Sequence, residues 1–227
     1  METFDRVKLL IGGENYLKLK NSKVAVFGVG GVGGYVVEAL VRSGVENITI
    51  FDNDVVAKSN LNRQIIATLD NLGKDKVEVL KERALSINKN AKIQVEKVFY
   101  LPESADNYDL SGYDYVVDAV DTVTAKIEII KRCKGAGVKV ISCMGTGGKL
   151  NPLELKVCDI EKTSVCPLAR VMRRELKKRD ISDVLVVYST EEPKGEKREK
   201  TPPSMIFVPA SAGLLIAKTV VEDLISR

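Results

Sequence analysis

The sequence of 227 residues predicts an α/β fold: a doubly wound sheet, parallel in its first part, with antiparallel strands added in the C-terminal part. Three observations carry that expectation. Short apolar runs alternate with stretches of helical periodicity from residue 24 to residue 142. A G-x-G-x-x-G turn, Gly28, Gly30 and Gly33, joins the first such run to the first such stretch. Beyond residue 148 the alternation lapses, and 150–157 reads as a strand that need not be parallel. Hydrophobic residues make up 44% of the chain and charged residues 29%, the balance of a globular protein able to bury a core, so 1–227 is expected to form a single domain.

The opening, METFDRVKLLIGGENYLKL, reads as a short amphipathic helix with Val7, Leu10 and Ile11 on one side and Arg6 just ahead of them. Taken alone, Arg6 is a solvated charge. Val24, Val26 and Phe27 begin the sheet, the glycine turn follows, and a helix runs to Ser43-Gly44. Ile48, Ile50 and Phe51 form the next strand, which ends at Asp52. Glycines at this spacing let the backbone turn tightly, so that N–H groups at the helix start can hold phosphate oxygens. Asp52, nineteen residues beyond Gly33, stands where a carboxylate binds ribose hydroxyls. The fingerprint serves dinucleotides and ATP alike.

The loop after Asp52, through Asn53-Asp54 to SNLNRQ, offers Arg63 as a planar fork for phosphate oxygens and Asn60 as an uncharged partner. Lys76 falls in the first turn of the next helix, where a cation opposes the helix dipole unless an anion is near. Val77, Leu80, Ala84 and Ile87 form that helix's core stripe. Ala91, Ile93 and Val95 alternate as a strand, and 113–117 is apolar enough to be buried on both faces. This last strand runs into Asp118 and Asp121, at the end of the sheet where ligands gather. Asp121 is assigned to a magnesium ion and Asp118 to structure, as a cap on the helix expected from 122 to about 133.

A strand over 138–142 leads to the turn Gly145-Thr146-Gly147-Gly148, and Leu153, Leu155 and Val157 are expected on one face of the strand after it. The helix expected over 167–180 carries a core stripe of Leu168, Val171, Met172 and Leu176. Arg170, Arg173, Arg174, Lys177 and Lys178 cover the rest, a face suited to a phosphate backbone. Residues 190–203 read as a flexible basic loop. Leu214, Ala217, Val221 and Leu224 mark a buried closing helix over 209–227.

The chain has no histidine, so imidazole catalysis is excluded. Cys133, Cys143, Cys158 and Cys166 have no C-x-x-C spacing, which argues against a tetrahedral zinc site. The net charge is +4, but 162–179 alone holds seven basic residues against one acid. The longest uncharged run, 201–217, is broken by three prolines, and the N-terminus lacks the pattern of a signal peptide, so a cytoplasmic protein without membrane spans is expected.

The succession GVGGVG, DND, SNLNRQ, GKDK and DAVD resembles the ThiF/MoeB/HesA family, relatives of the ubiquitin-activating enzymes, and five motifs in this order are specific. The resemblance implies a Rossmann-like homodimer that adenylates a carboxylate with ATP and Mg²⁺. It implies that Gly28, Gly30, Gly31, Gly33, Asp52 and Asp54 bind the nucleotide, that Asn60, Arg63 and Lys76 hold its phosphates, and that Asp121 meets the metal. It gives Arg6 a catalytic role in the partner subunit's site, beside Arg63, Lys76 and Asp121 in the subunit's own.

The turn SCMGTGGKLNP and the stretch DIEKTSVCPLARVMRREL further resemble the branch of that family that dehydrates N6-threonylcarbamoyladenosine in the anticodon loop of tRNA. In that chemistry the carbamoyl group of the substrate attacks its own activated carboxylate, and no catalytic thiol is needed. A sulfur-trafficking partner protein that assists the dehydration is left open, and so are two alternatives. One is adenylation of a ubiquitin-like sulfur carrier, with Cys143, Cys158 or Cys166 as acceptor. The other is a non-catalytic NAD-binding module.

Overall fold

A computed structural model describes residues 2–194 and 202–226. The N-terminus forms two short helices, α1 (Asp5–Ile11) and α2 (Gly13–Asn21), in place of one. The first four strands alternate with helices, all of them expected save the single turn α5: β1 (Lys23–Phe27), α3 (Gly33–Arg42), β2 (Asn47–Phe51), α4 (Lys76–Ile87), β3 (Lys92–Glu96), α5 (Pro102–Ala105), β4 (Tyr115–Asp118) and α6 (Val123–Ala136). β5 (Lys139–Cys143), β6 (Leu155–Asp159), α7 (Pro167–Lys177), β7 (Leu185–Ser189) and α8 (Phe207–Ile225) complete the chain.

The seven strands lie in the order β3-β2-β1-β4-β5-β7-β6. Every neighbouring pair is parallel except β6 with β7, so one antiparallel edge strand closes the sheet where several were expected. The order reverses between β1 and β4, and at such a switch point the carboxyl ends of the strands leave a crevice.

Strand alternation sorts the core into two layers. Val24, Val26, Ile48, Ile50 and Val117 pack on one face with α3, α4 and α8. Ala25, Phe27, Phe51 and Val116 pack on the other with α6 and α7. Both faces are thus covered, which is why these strands read as continuous apolar runs.

Several expectations are corrected. α1 has no fully buried residue: it packs chiefly on α2, Ile11 alone among its apolar residues reaches the edge of the core, and Leu10 is 85% exposed. Leu153 is 89% exposed: Pro152 opens a single 3₁₀ turn, the Asn151 side chain accepts from the Leu153 N–H, and the strand expected from residue 150 starts at Leu155. Ile87, at the end of α4, is only half-buried. In α7, Leu168 and Val171 are half-buried while Ala169, Met172 and Leu176 are buried. In α8 the buried stripe is Ala212, Ile216, Val220 and Leu224 together with Ala217, and Leu214 is half exposed. β7 is an unanticipated strand. Of the loop expected over 190–203, residues 195–201 lie outside the described residues; its two ends rest on the Gly147-Gly148 turn, through the Lys194 N–H to the Gly148 carbonyl and the Gly148 N–H to the Pro203 carbonyl, each 2.6 Å.

Candidate nucleotide site

The glycine turn sits at the switch point. Gly28 leaves β1 with φ +80°, its N–H bonded to the Phe51 carbonyl at 2.8 Å. A Cβ at Gly33 would lie 1.8 Å from the Gly28 oxygen, so the first turn of α3 closes onto the strand only with glycine there. Asp52 ties β2 to this turn: its Oδ2 accepts from the Val29 N–H and its Oδ1 from the Asp54 N–H, each at 2.8 Å. A carboxylate has about four acceptor positions, so Asp52 keeps capacity for ribose hydroxyls.

A cleft of about 580 Å³ opens over the turn, and Gly28, Gly30, Gly31, Asp52, Asp54, Asn60, Arg63, Lys76 and Asp121 all line it. Of the residues assigned to the nucleotide, Gly33 alone stands behind the lining. Lys76 is the first residue of α4 and is buried; its Nζ lies 2.7 Å from Asp54 Oδ2. Asp54 therefore offsets the unfavourable placement of a cation at a helix start and aims it into the cleft. Arg63 is half-buried, its Nη1 donating to the Ser59 carbonyl at 2.7 Å and to Asn62 Oδ1 at 2.9 Å. Asn60 is buried and accepts from the Ala57 N–H at 3.0 Å.

Two further residues of the cleft escaped the sequence reading. Gln64 and Tyr100 are both buried, and Gln64 Oε1 and Tyr100 Oη have no hydrogen-bond partner among the described residues. Burial pushes the Tyr100 phenol up to about 12, so it stays a donor. Orphaned polar atoms are costly in a finished core and expected in a site shaped for a polar ligand. The residues present thus fit ATP: a glycine turn, a carboxylate with acceptor capacity to spare, three cationic or amide groups and two unspent polar atoms face one cleft.

Asp118 is structural, though not as a helix cap. Asp118 is fully buried; its Oδ2 lies 3.0 Å from Lys126 Nζ and 2.5 Å from Ser142 Oγ, and its Oδ1 accepts from the Val120 N–H at 3.2 Å. Thr122, not Asp118, stands at the N-cap of α6. This buried triad fixes the loop that presents Asp121, which is exposed in the cleft. No group of three or more Cys, Asp or Glu suited to a metal occurs among the described residues. A lone carboxylate exposed in the cleft, as Asp121 is, suits an ion that takes its remaining oxygen ligands from phosphates and water, as Mg²⁺ does.

The ThiF family profile matches residues 4–221. The chain belongs to the ThiF family. It is 39% identical to the tRNA threonylcarbamoyladenosine dehydratase of Bacillus subtilis, over 99% of this chain and 95% of that protein. Crystal structures of the Escherichia coli tRNA N6-threonylcarbamoyladenosine dehydratase, TcdA, in complex with AMP and with ATP superpose with TM-scores of 0.93 and 0.92. Each is 31% identical and covers 99% of this chain and 94% of the other.

Two surfaces of this ThiF-family chain lie outside the cleft. Arg6 is exposed on α1 and does not line the cleft. On α7, Arg170, Arg174, Lys177 and Lys178 are exposed, whereas Arg173 is half-buried and donates to Thr163. Glu175 draws in Arg174, Lys178 and Arg179 at 3.3, 2.9 and 3.1 Å, so this basic face is partly neutralised. Cys133, Cys143 and Cys166 are buried, and burial pushes the Cys133 and Cys143 thiols up to about 12. A thiol so placed is a poor nucleophile. Among the described residues no helix is long and apolar enough to cross a membrane.

Proposed function

We propose that this chain dehydrates N6-threonylcarbamoyladenosine in the anticodon loop of tRNA to its cyclic form, consuming ATP through an acyl adenylate. Residues 1–227 act as one adenylating unit, in a cytoplasmic homodimer. The observation that supports this reading is a cleft that gathers the glycine turn, Asp52, Arg63, Lys76 and Asp121, in a chain that resembles dehydratases along nearly its whole length.

The threonyl carboxylate attacks the α-phosphorus of ATP and pyrophosphate leaves. The carbamoyl group then attacks the acyl carbonyl, AMP departs with the former carboxylate oxygen, and the carbamoyl proton passes to solvent. Arg63 and Lys76 stabilise charge that builds on the phosphates, as does Arg6 of the partner subunit. Asp121 would hold Mg²⁺, which when bound neutralises phosphate charge. Ring closure is intramolecular and needs neither thiol nor imidazole. Arg170, Arg174, Lys177 and Lys178 give the tRNA backbone a sequence-independent attraction, while Arg173 holds α7 to the Thr163 loop.

The test is to incubate the protein with Mg-ATP and tRNA bearing threonylcarbamoyladenosine, then weigh the nucleosides released under mild conditions. Loss of one water from the modified nucleoside, matched by AMP, is expected. AMP formed only when a ubiquitin-like carrier protein is added would transfer the assignment to sulfur-carrier activation. No use of ATP with either substrate, together with NAD binding, would leave a binding module.

A further inference from the structure

A second cavity, of about 410 Å³, shares Val32, Ala119, Val120, Asp121 and Thr146 with the nucleotide cleft. The rest of its wall is largely apolar, with Met144, Pro167, Leu168, Pro193 and Pro202. Among the described residues that line it, Lys149 is the one cation, and it is 3% exposed. Its Nζ donates to the Gly145 carbonyl at 3.0 Å and to the Ser189 carbonyl at 3.2 Å. An ammonium has three donors, so these two acceptors leave one for the cavity.

Such a cation is expensive to bury unless an anion joins it. Three ionisable groups act on it: Cys166, Glu191 and Cys143. The Cys143 thiol is held neutral by burial. The Glu191 carboxylate is already engaged, with Oε2 accepting from the Leu150 and Asn151 N–H groups at 2.9 and 2.8 Å and Oε1 lying 2.9 Å from Lys194 Nζ. Burial accordingly lowers the pKa of Lys149, and a cation in this state gains from any carboxylate that enters.

We infer that Lys149 is the anchor for the substrate's carboxylate: its ammonium pairs with the acceptor carboxylate in the second cavity and presents it to the nucleotide across the shared wall. This rests on the adenylation reading above and assigns that reading's acceptor subsite to a residue. The placement serves both half-reactions. A cation beside the carboxylate orients it for adenylation, and once the acid is an acyl adenylate the same cation faces the carbonyl oxygen, where negative charge grows during ring closure.

The experiment compares two anticodon stem-loop RNAs, one bearing threonylcarbamoyladenosine and one bearing its threonyl methyl ester, bound with a non-hydrolysable ATP analogue present. The wild type is expected to bind the acid at least about tenfold more tightly than the ester, the size of a charge-assisted hydrogen bond. Lys149→Gln removes the charge while keeping an amide donor for the neighbouring carbonyls, and should bind both RNAs alike with unchanged affinity for the ATP analogue. Lys149→Arg should restore part of the preference; thermal melts of both variants report folding. An acid-over-ester preference that survives in a folded Lys149→Gln protein would overturn the assignment and leave Lys149 a brace between two backbone segments. Should Lys149→Gln not fold, Lys149→Met takes its place with the same two outcomes, loss of the preference supporting the anchor and its survival overturning it, and a wild type that binds acid and ester equally overturns it outright. If the wild type binds the modified RNA no better than an unmodified one, the dehydratase reading and this inference fall together.

Discussion

Individual residues of the cleft carry more than one task, and the spare capacity of each shows where a ligand belongs. Asp52 spends one acceptor of each oxygen on the backbone and keeps the others. Tyr100 is the opposite case: its ring is packed edge-on to Phe27, centroids 4.8 Å apart, while its hydroxyl is buried without a partner. An unmet buried hydroxyl costs about 1–3 kcal/mol, which a ring nitrogen of the nucleotide base would recover. Tyr100→Phe is therefore expected to leave the melting temperature unchanged or raised and to increase the KM for ATP by about five- to tenfold, with little change in kcat. Steady-state kinetics at saturating tRNA measures this, and an unchanged KM would remove Tyr100 from nucleotide recognition.

At the scale of elements, β4, β5 and α6 meet in a buried polar knot. Lys126 from α6, Asp118 from β4 and Ser142 from β5 satisfy one another with no exposure of either charge. Lys126→Met would strand the Asp118 carboxylate and should cost about 3–5 kcal/mol by chemical denaturation. Adding Asp118→Asn should return much of that loss, because the uncompensated charge is then gone; a single-variant cost under about 1 kcal/mol would show that the knot does not hold the loop before Asp121. The same knot marks a boundary of what sequence can reveal. The strands β1, β2 and β4, the glycine turn and the loop with Arg63 were legible because period, spacing and composition are local properties. Lys126 and Lys149 were not, since a lysine in a helix or after a turn reads as solvated until the chain folds acceptors around it. Gln64 lay inside a motif already in view, yet its orphaned oxygen is a property of the cleft. Leu10, Leu153 and Leu214 were misplaced for a related reason: periodicity finds an apolar face but not what, if anything, that face packs against.

For the whole molecule, the N-terminal helices pose a question that a single subunit leaves unanswered. α1 has no fully buried residue, Leu9 and Leu10 are 78% and 85% exposed, and Arg6 on the same helix stands outside the cleft. A second copy covering Leu9 and Leu10 would remove apolar surface from water, at roughly 25 cal/mol per Å² buried, and would carry Arg6 to a neighbouring site. If Arg6 acts across the interface, Arg6→Ala and Arg63→Ala lesions fall in different composite sites when they reside in different subunits. A mixed dimer then has one site with both arginines and one with neither. Random exchange of equal amounts makes half the dimers mixed, so two inactive proteins should recover about one quarter of wild-type AMP formation. Each protein alone should remain inactive, and the recovered activity should rise with the same time course as subunit exchange followed by differently tagged chains. Proven exchange without recovery would place Arg6 outside the partner's site, and α1 would then need another reason to hold two leucines in water.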